Sequence, residues 1–254
     1  MLTWPLEVRK SVATARKISL FLDFDGTLTP IVNDPTEVWL EASTRDALAR
    51  LSRKSDIVTT IISSRAIDDL SMRVSLPDII YAGNRGLEIS GRHLEFVNPV
   101  AATSSDQLLR ITDLLASELR PIPGVYVEFK GLTSTVHYRR VMAHEIPMIE
   151  KVVHAGLTPF ASLFDVDPGD MALDIVPRTG WHKGCAVSWI NARLDLFDDL
   201  CIYFGDDKTD EDAFGILPDA MTFKVGKDSA SLAKYQVESP AEVGEFLQWL
   251  AITR

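Results

Sequence analysis

Two cysteines and five histidines are all that the 254-residue chain has of the softer metal-binding side chains. Cys185 and Cys201 each lie inside an apolar run without metal-ligand spacing, which excludes a disulfide framework and reads both as buried small hydrophobes. Basic charge is also scarce, with 26 Lys and Arg against 36 Asp and Glu and a formal net charge of −10. That balance excludes nucleic acid as the main partner, because duplex binding rests on clustered cations that neutralise phosphates. Any phosphorylated ligand must then be met by local positive charge. No stretch reaches the roughly 18 uninterrupted apolar residues of a spanning helix, so no membrane partner is expected. The N-terminal segment MLTWPLEVRKSVATARK lacks the apolar core and small-residue cleavage site of a secretory signal, so a soluble, reducing, cytoplasmic setting is expected. Repeats and low-complexity tracts are missing too. What remains is an ordinary globular balance, 46% hydrophobic and 24% charged, in a chain long enough to bury a core in one large or two modest domains.

Short β-rich apolar runs, each ending in polar or Gly residues and followed by helix-like periodicity, are how buried parallel strands of α/β folds present themselves. The clearest run from Ile18 to Asp23, Ile57 to Ser63, Ile79 to Ala82, Cys201 to Gly205 and Met221 to Val225. Segments Thr44 to Ser52, Ala66 to Val74, Lys183 to Arg193 and Glu211 to Leu217 read as crossover helices. Between Pro99 and Pro177 the rhythm changes to helix (Ser105 to Leu119), two strands (Val125 to Lys130, Ser134 to Arg139), helix (Ala143 to Ala155) and two more strands. The fold class that follows is α/β, a Rossmann-like, doubly wound parallel sheet over residues 1–99 and 178–254, with an inserted α+β cap over residues 100–177.

The strongest chemical signal is Asp23-Phe24-Asp25-Gly26-Thr27-Leu28, where the first strand runs out and where open α/β sheets gather ligands. Two carboxylates this close repel, and each is costly to bury without a cation or donors. The second is Gly205-Asp206-Asp207-Lys208-Thr209-Asp210-Glu211-Asp212, again after a strand and ahead of a helix. Asp210, Glu211 and Asp212 are accounted for by a helix first turn, where the macrodipole favours negative charge. Asp206 and Asp207 are not, and hard oxygen ligands of this type suit Mg²⁺. Ser63 closes the second strand ahead of Ser64 and Arg65, as an anion-binding hydroxyl or as a plain N-cap. Lys183 falls in the first turn of a helix, where a cation is disfavoured, so a negative group is expected beside it.

In this order and spacing the residues resemble the four motifs of the haloacid dehalogenase-like superfamily, over nearly the whole chain. The resemblance implies that Asp23 is a nucleophile that takes the phosphoryl group and that Asp25 protonates the leaving oxygen and later activates water. It further implies that Ser63 and Lys183 hold the phosphoryl oxygens. Mg²⁺ would be bound by Asp23, the Asp25 carbonyl and Asp206, with Asp207 or Asp210 supporting.

A narrower resemblance, to trehalose-6-phosphate phosphatases, is carried by DFDGTLTPIV, IISSR, AGNRGLEI, EFKGLTSTVHYR, DIVP…HKG and YFGDDKTDEDAF. It implies hydrolysis of trehalose 6-phosphate by an enzyme whose insert is a lid over the sugar, and a monomer is expected. Glu128, Lys130 and Asp174 match lid positions that meet sugar hydroxyls, and Asn84, Arg85 and Glu88 match a core loop. Glu128 and Lys130 alternate with Val127 and Phe129, which puts them on one face of a strand. The chain departs from the family pattern at Ser64, Arg85 and Asp174, which leaves room for another glycosyl phosphate such as a sucrose or glucosylglycerate phosphate. A phosphomutase of the same superfamily and a phospho-acceptor signalling domain are the remaining alternatives.

Overall fold

The computed structural model describes residues 4–32, 34–227 and 230–254. The chain divides into two compact units, residues 1–96 with 182–254, and residues 97–181. The first unit begins with α1 (Leu6–Thr14), β1 (Ile18–Leu22), α2 (Ala42–Ser52), β2 (Ile57–Ile62), α3 (Ile67–Val74), β3 (Ile80–Gly83), β4 (Glu88–Gly91) and β5 (Leu94–Val97). The second contains α4 (Pro99–Leu119), β6 (Tyr126–Phe129), β7 (Ser134–His137), α5 (Ile146–Leu157), β8 (Phe164–Gly169) and β9 (Ala172–Pro177). The chain then returns through α6 (Lys183–Arg193), β10 (Leu200–Gly205), α7 (Lys208–Ile216), β11 (Met221–Val225), β12 (Tyr235–Val237) and α8 (Pro240–Thr253).

The first unit is built on an eight-stranded sheet of order β12-β11-β10-β1-β2-β3-β4-β5. Every pairing from β12 to β3 is parallel, and β4 adds antiparallel to β3. All five residues of β1 are buried, as expected of a strand covered on both faces. Ile18, Leu20 and Leu22 pack into a cluster with Val8, Leu48 and Phe246, which places α1, α2 and α8 on one face. Phe21 points the other way and stacks on Tyr203, which meets Phe214 of α7 edge-on. Because the chain leaves β1 for β2 on one side and returns as β10 on the other, the ends of β1 and β10 form a topological switch point, the usual ligand crevice of such sheets.

The second unit has its own four-stranded antiparallel sheet, order β6-β7-β9-β8. One face of it closes, with α4 and α5, a core of Leu108, Ile111, Leu115, Val136, Ile149, Val153 and Ile175. Asn98 caps α4, its side chain accepting from the N–H groups of Val100 and Ala101, and Pro99 opens the helix.

Several details differ from the reading of the sequence. Helix α4 begins at Pro99, six residues before the expected Ser105, because Asn98 caps it there, and α5 runs Ile146–Leu157 rather than from Ala143 to Ala155. The β4–β5 hairpin was not anticipated, although L-E-I-S-G-R-H-L-E-F-V alternates around a turn whose Gly91, Arg92 and His93 all adopt positive φ. Helix α7 starts at Lys208 rather than Glu211. Cys185 and Cys201 are part-buried rather than wholly buried, and burial pushes the Cys201 thiol up to about 11. Among the described residues no helix is long and apolar enough to cross a membrane.

Candidate active site

Asp23 follows β1 directly, its N–H donating to the Phe204 carbonyl of β10 at 3.0 Å. The chain then turns tightly, with the Gly26 N–H bonded to the Thr29 carbonyl and Leu28 N–H to the Phe24 carbonyl. Gly26 has φ +83°, and a methyl group there would collide with the Asp206 carboxylate. Only glycine lets the two strand-end loops come this close. The Thr27 hydroxyl reinforces the approach, donating to Asp206 Oδ1 at 3.2 Å.

The lysine that the helix dipole should disfavour is buried to 1% exposure and surrounded by carboxylates. Lys183 Nζ donates to Asp23 Oδ1 at 2.7 Å and Asp210 Oδ1 at 2.8 Å, with Asp207 at 3.8 Å. Burial alone would lower its basicity, but Asp210, Asp23 and Asp207 raise it well above the ordinary value, so it stays a cation. The negative neighbour anticipated from sequence is therefore present three times over.

Asp210 is fully buried and fully engaged. Its Oδ1 accepts from Lys183 and from the Tyr203 hydroxyl, each at 2.8 Å, and its Oδ2 from the N–H groups of Asp206 and Asp207 at 3.0 and 3.1 Å. A carboxylate has about four lone-pair sites, so donors already meet all of them. Asp207 instead caps α7. Its Oδ1 accepts from the N–H groups of Thr209 and Asp210, completing a capping box. Asp210 completes that box from the first turn, as the helix-start account expected, but the same account was not expected to cover Asp207, and it does. The register of the helix start, three residues earlier than expected, sends Asp210 inward and leaves Asp207 at the rim.

Asp23, Asp206 and Asp210 are the acidic residues among the described ones whose oxygens gather closely enough to hold a metal, all within 4.8 Å of one another. Asp207 and the side chain of Asp25 lie outside that group. Burial first, and then Asp210 and Asp207, hold the Asp206 carboxyl up at about 7. Burial likewise raises Asp23 well above its ordinary value, with Asp206 and Asp207 adding to it and Lys183 opposing. Such a cluster carries more negative charge than one lysine offsets, and a hard divalent cation suits its all-oxygen donor set. With Asp210 engaged, Asp23 and Asp206 are the carboxylates with capacity left.

Ser63 follows β2 directly, its hydroxyl accepting from the Arg65 N–H at 3.2 Å. It is not a helix cap, since α3 begins at Ile67 behind Ala66. Arg65 forks onto Asp25, Nε to Oδ2 at 2.7 Å and Nη2 to Oδ1 at 2.8 Å. Among the core-loop candidates, Glu88 Oε1 accepts from Asn84 Nδ2 at 2.6 Å and from the Ile67 N–H at 3.0 Å. Glu88 thus braces the turn against α3, with burial pushing its carboxyl up and these two donors opposing. Arg85 sits in that turn with φ +61°.

In the second unit, considered by itself, pairing places Glu128, Thr135, Asp174 and Asp167 in one row across the sheet. The Thr135 hydroxyl donates to Asp174 Oδ1 at 2.6 Å, and Lys130 Nζ lies 3.9 Å from the same oxygen. Glu128 Oε2 is 2.9 Å from His137 Nε2, whose ring stacks on Tyr126. The three polar residues picked from sequence thus share one face. Tyr203, Arg65, Thr135 and His137 were missed, the first because a tyrosine in an apolar strand reads as core.

A family model described as trehalose-phosphatase matches residues 21–242. A trehalose-phosphate phosphatase of Mycobacterium tuberculosis is 34% identical over 248 residues, 93% of this chain and 62% of that protein. Trehalose-phosphate phosphatase B of Arabidopsis thaliana is 31% identical over 261 residues, covering 94% of this chain and 68% of that one. Among solved structures, a trehalose-6-phosphate phosphatase related protein aligns with TM-score 0.81 and 26% identity, over 92% of this chain and 97% of that one. The C-terminal domain of the Candida albicans trehalose-6-phosphate phosphatase, at 22% identity and TM-score 0.82, shares the fold over 96% of this chain and 95% of its own. The chain spans about three-fifths of the mycobacterial relative, and with a family model running through both its units it belongs to the trehalose-phosphatase family.

Proposed function

We propose that this protein is a phosphoric monoester hydrolase that releases phosphate from trehalose 6-phosphate, with Asp23 as nucleophile and Mg²⁺ as cofactor. The observation that carries the proposal is the Lys183 ammonium held between Asp23 and Asp210 at the ends of β1 and β10. An ion pair this deeply buried is poor value as a source of stability, and chemistry accounts for it better. Lys183 fixes one oxygen of Asp23 before any substrate arrives and supplies positive charge where a phosphoryl group would gather negative charge.

In this reading an Asp23 oxygen attacks phosphorus and the bond from phosphorus to the sugar oxygen breaks. The electron pair leaves on that oxygen, which takes a proton from Asp25. Asp25 then removes a proton from water, the hydroxide attacks phosphorus, and the Asp23–phosphorus bond breaks to free phosphate. Ser63 and Lys183 bind the phosphoryl oxygens. Asp23, Asp206 and the Asp25 carbonyl would hold Mg²⁺, with Asp210 fixing the loop behind them. When bound, the ion would offset the repulsion between carboxylate and phosphate dianion. In the second unit, acting as the lid, Glu128, Lys130 and Asp174 would bind sugar hydroxyls, and Arg85 would add a donor fork from the core loop.

The test is release of inorganic phosphate, with magnesium, from trehalose 6-phosphate, sucrose 6-phosphate, glucosylglycerate phosphate and hexose phosphates. The highest kcat/KM is expected for trehalose 6-phosphate, with activity abolished by Asp23→Asn. Preference for another ester would move the substrate assignment. Release undiminished in Asp23→Asn would end the proposal.

A further inference from the structure

The acid/base carboxylate does not stand free at the strand end. Both of its oxygens are held by one guanidinium, Arg65 Nε to Oδ2 at 2.7 Å and Nη2 to Oδ1 at 2.8 Å. This parallel fork is the geometry in which an arginine fixes not only the place but also the plane of a carboxylate. The Arg65 side chain is itself only 12% exposed, whereas that of Asp25 is 39% exposed, so the arginine lies behind the carboxylate rather than beside a ligand in solvent. Its third contact runs away from the site, Nη1 to Asp69 Oδ2 at 2.7 Å.

Asp69 is in turn gripped by Arg73, whose Nε donates to Oδ1 at 2.9 Å and Oδ2 at 2.8 Å. Arg73 is 6% exposed and anchors to backbone, its Nη1 donating to the carbonyls of Thr36 at 3.1 Å and Val38 at 2.6 Å. The Arg65 guanidinium also lies over the Phe24 ring, 5.5 Å from its centroid. That guanidinium is therefore held on one side by a chain of ionic contacts ending in backbone, and on the other by the residue between the two catalytic aspartates. A brace needed only to pin α3 to the 34–38 segment would be complete with Arg73 and Asp69. The extension through Arg65 to a half-exposed carboxylate adds nothing to that brace.

We propose that Arg65 is a positioning residue for the reaction: it sets the orientation of the Asp25 carboxylate and acts through Asp25 rather than on the substrate. The proposal rests on the hydrolase reading above, in which Asp25 serves twice, at the leaving oxygen and at the attacking water. It implies that loosening Arg65 harms the two half-reactions differently according to the leaving group. A sugar alkoxide needs a proton to depart, whereas p-nitrophenolate does not. Water activation needs Asp25 with either substrate.

The experiment compares wild type, Arg65→Lys, Arg65→Met, Asp69→Asn and Asp25→Asn in rapid mixing with trehalose 6-phosphate and with p-nitrophenyl phosphate. For Arg65→Met the expectation is a loss of about 10- to 100-fold in kcat on the sugar phosphate, a fraction of the whole acid–base contribution, with KM within about twofold. With p-nitrophenyl phosphate the same variant should give a burst of p-nitrophenolate and then slow turnover, because the phospho-aspartate forms and waits for water. Arg65→Lys keeps the charge without the fork and should show the same pattern. Asp69→Asn loosens Arg65 without touching Asp25 and should show it more weakly. In the Asp25→Asn background, Arg65→Met should cost no more than about a further twofold. Matching circular dichroism and Tm among the variants would set aside a folding defect, and the lysine variant keeps the test informative should the methionine variant unfold. Additive losses in the double variant, or a raised KM with kcat unchanged, would overturn the proposal while leaving the hydrolase reading intact. Wild-type protein that releases no phosphate from either ester would overturn both.

Discussion

Asp206 and Asp23 show how much of the site's character is set by single side chains held against their own preference. Burial, then Asp210 and Asp207, lift the Asp206 carboxyl from 3.8 to about 7, and Asp23 is displaced in the same direction. A carboxyl whose folded value lies above its unfolded one binds protons more tightly in the folded state. Stability must then fall as pH rises through the window from about 4 to about 7, and the loss is complete above it. For metal-free protein the expected result is a Tm that declines between about pH 4 and about pH 7, at roughly 2–4 °C per kcal/mol for a chain of this size. Magnesium should raise Tm more at the higher pH, because it binds the folded cluster after the protons have left. Calorimetry with and without the ion checks this. A Tm indifferent to pH in the metal-free protein would mean that the carboxylates are not in conflict. Tyr203 belongs to the same scale. Its buried hydroxyl donates to Asp210, and burial and the neighbouring carboxylates push its own ionisation well above the ordinary value, so it serves only as a donor.

At the scale of elements, the start of α7 decides which acid faces the site. Starting at Lys208, the helix takes Asp207 as its cap and turns Asp210 inward beneath Gly205, where a methyl group would overlap the Asp210 side chain. Asp207→Ala is therefore expected to lower stability by about 0.5–2 kcal/mol through the lost cap. It should shift the magnesium concentration for half-maximal activity less than Asp206→Ala does. Metal titrations of the two variants provide the check, and equal shifts would return Asp207 to the ligand set. The sheet of the second unit makes the corresponding argument for the sugar. Its row of Glu128, Thr135 and Asp174 arises because pairing of β6, β7 and β9 aligns residues distant in sequence. With Lys130 beside Asp174, Lys130→Ala should lower kcat/KM for trehalose 6-phosphate while leaving p-nitrophenyl phosphate hydrolysis near wild type. Equal losses on both esters would remove Lys130 from sugar recognition.

For the whole molecule, each unit owns a core, Ile18, Leu20, Phe204 and Phe246 in one and Leu108, Val136, Ile149 and Ile175 in the other. A fragment of residues 97–181 is expected to unfold cooperatively on its own when followed by circular dichroism, and a broad, non-cooperative melt would deny it independence. The alternation of β-rich runs and amphipathic stretches was enough to read the parallel sheet, the change of rhythm after Pro99 and the placing of Asp23, Ser63, Lys183 and Asp206 at element ends. Those features are local, since an apolar run that ends in a polar residue fixes burial and boundary within a few positions. The β4–β5 hairpin escaped because, beside Gly91, its turn relies on positive φ at Arg92 and His93, residues that do not announce such a conformation as glycine does. The capping by Asp207, the inward contacts of Asp210, the Tyr203 donor and the Arg65 fork onto Asp25 were decided only in three dimensions. Lys183 meets Asp23 across 160 positions of chain, and Arg65 meets Asp25 across 40. Periodicity states which side of an element is buried, but which oxygen faces which donor depends on how separate strand ends are brought together, and no local pattern carries that information.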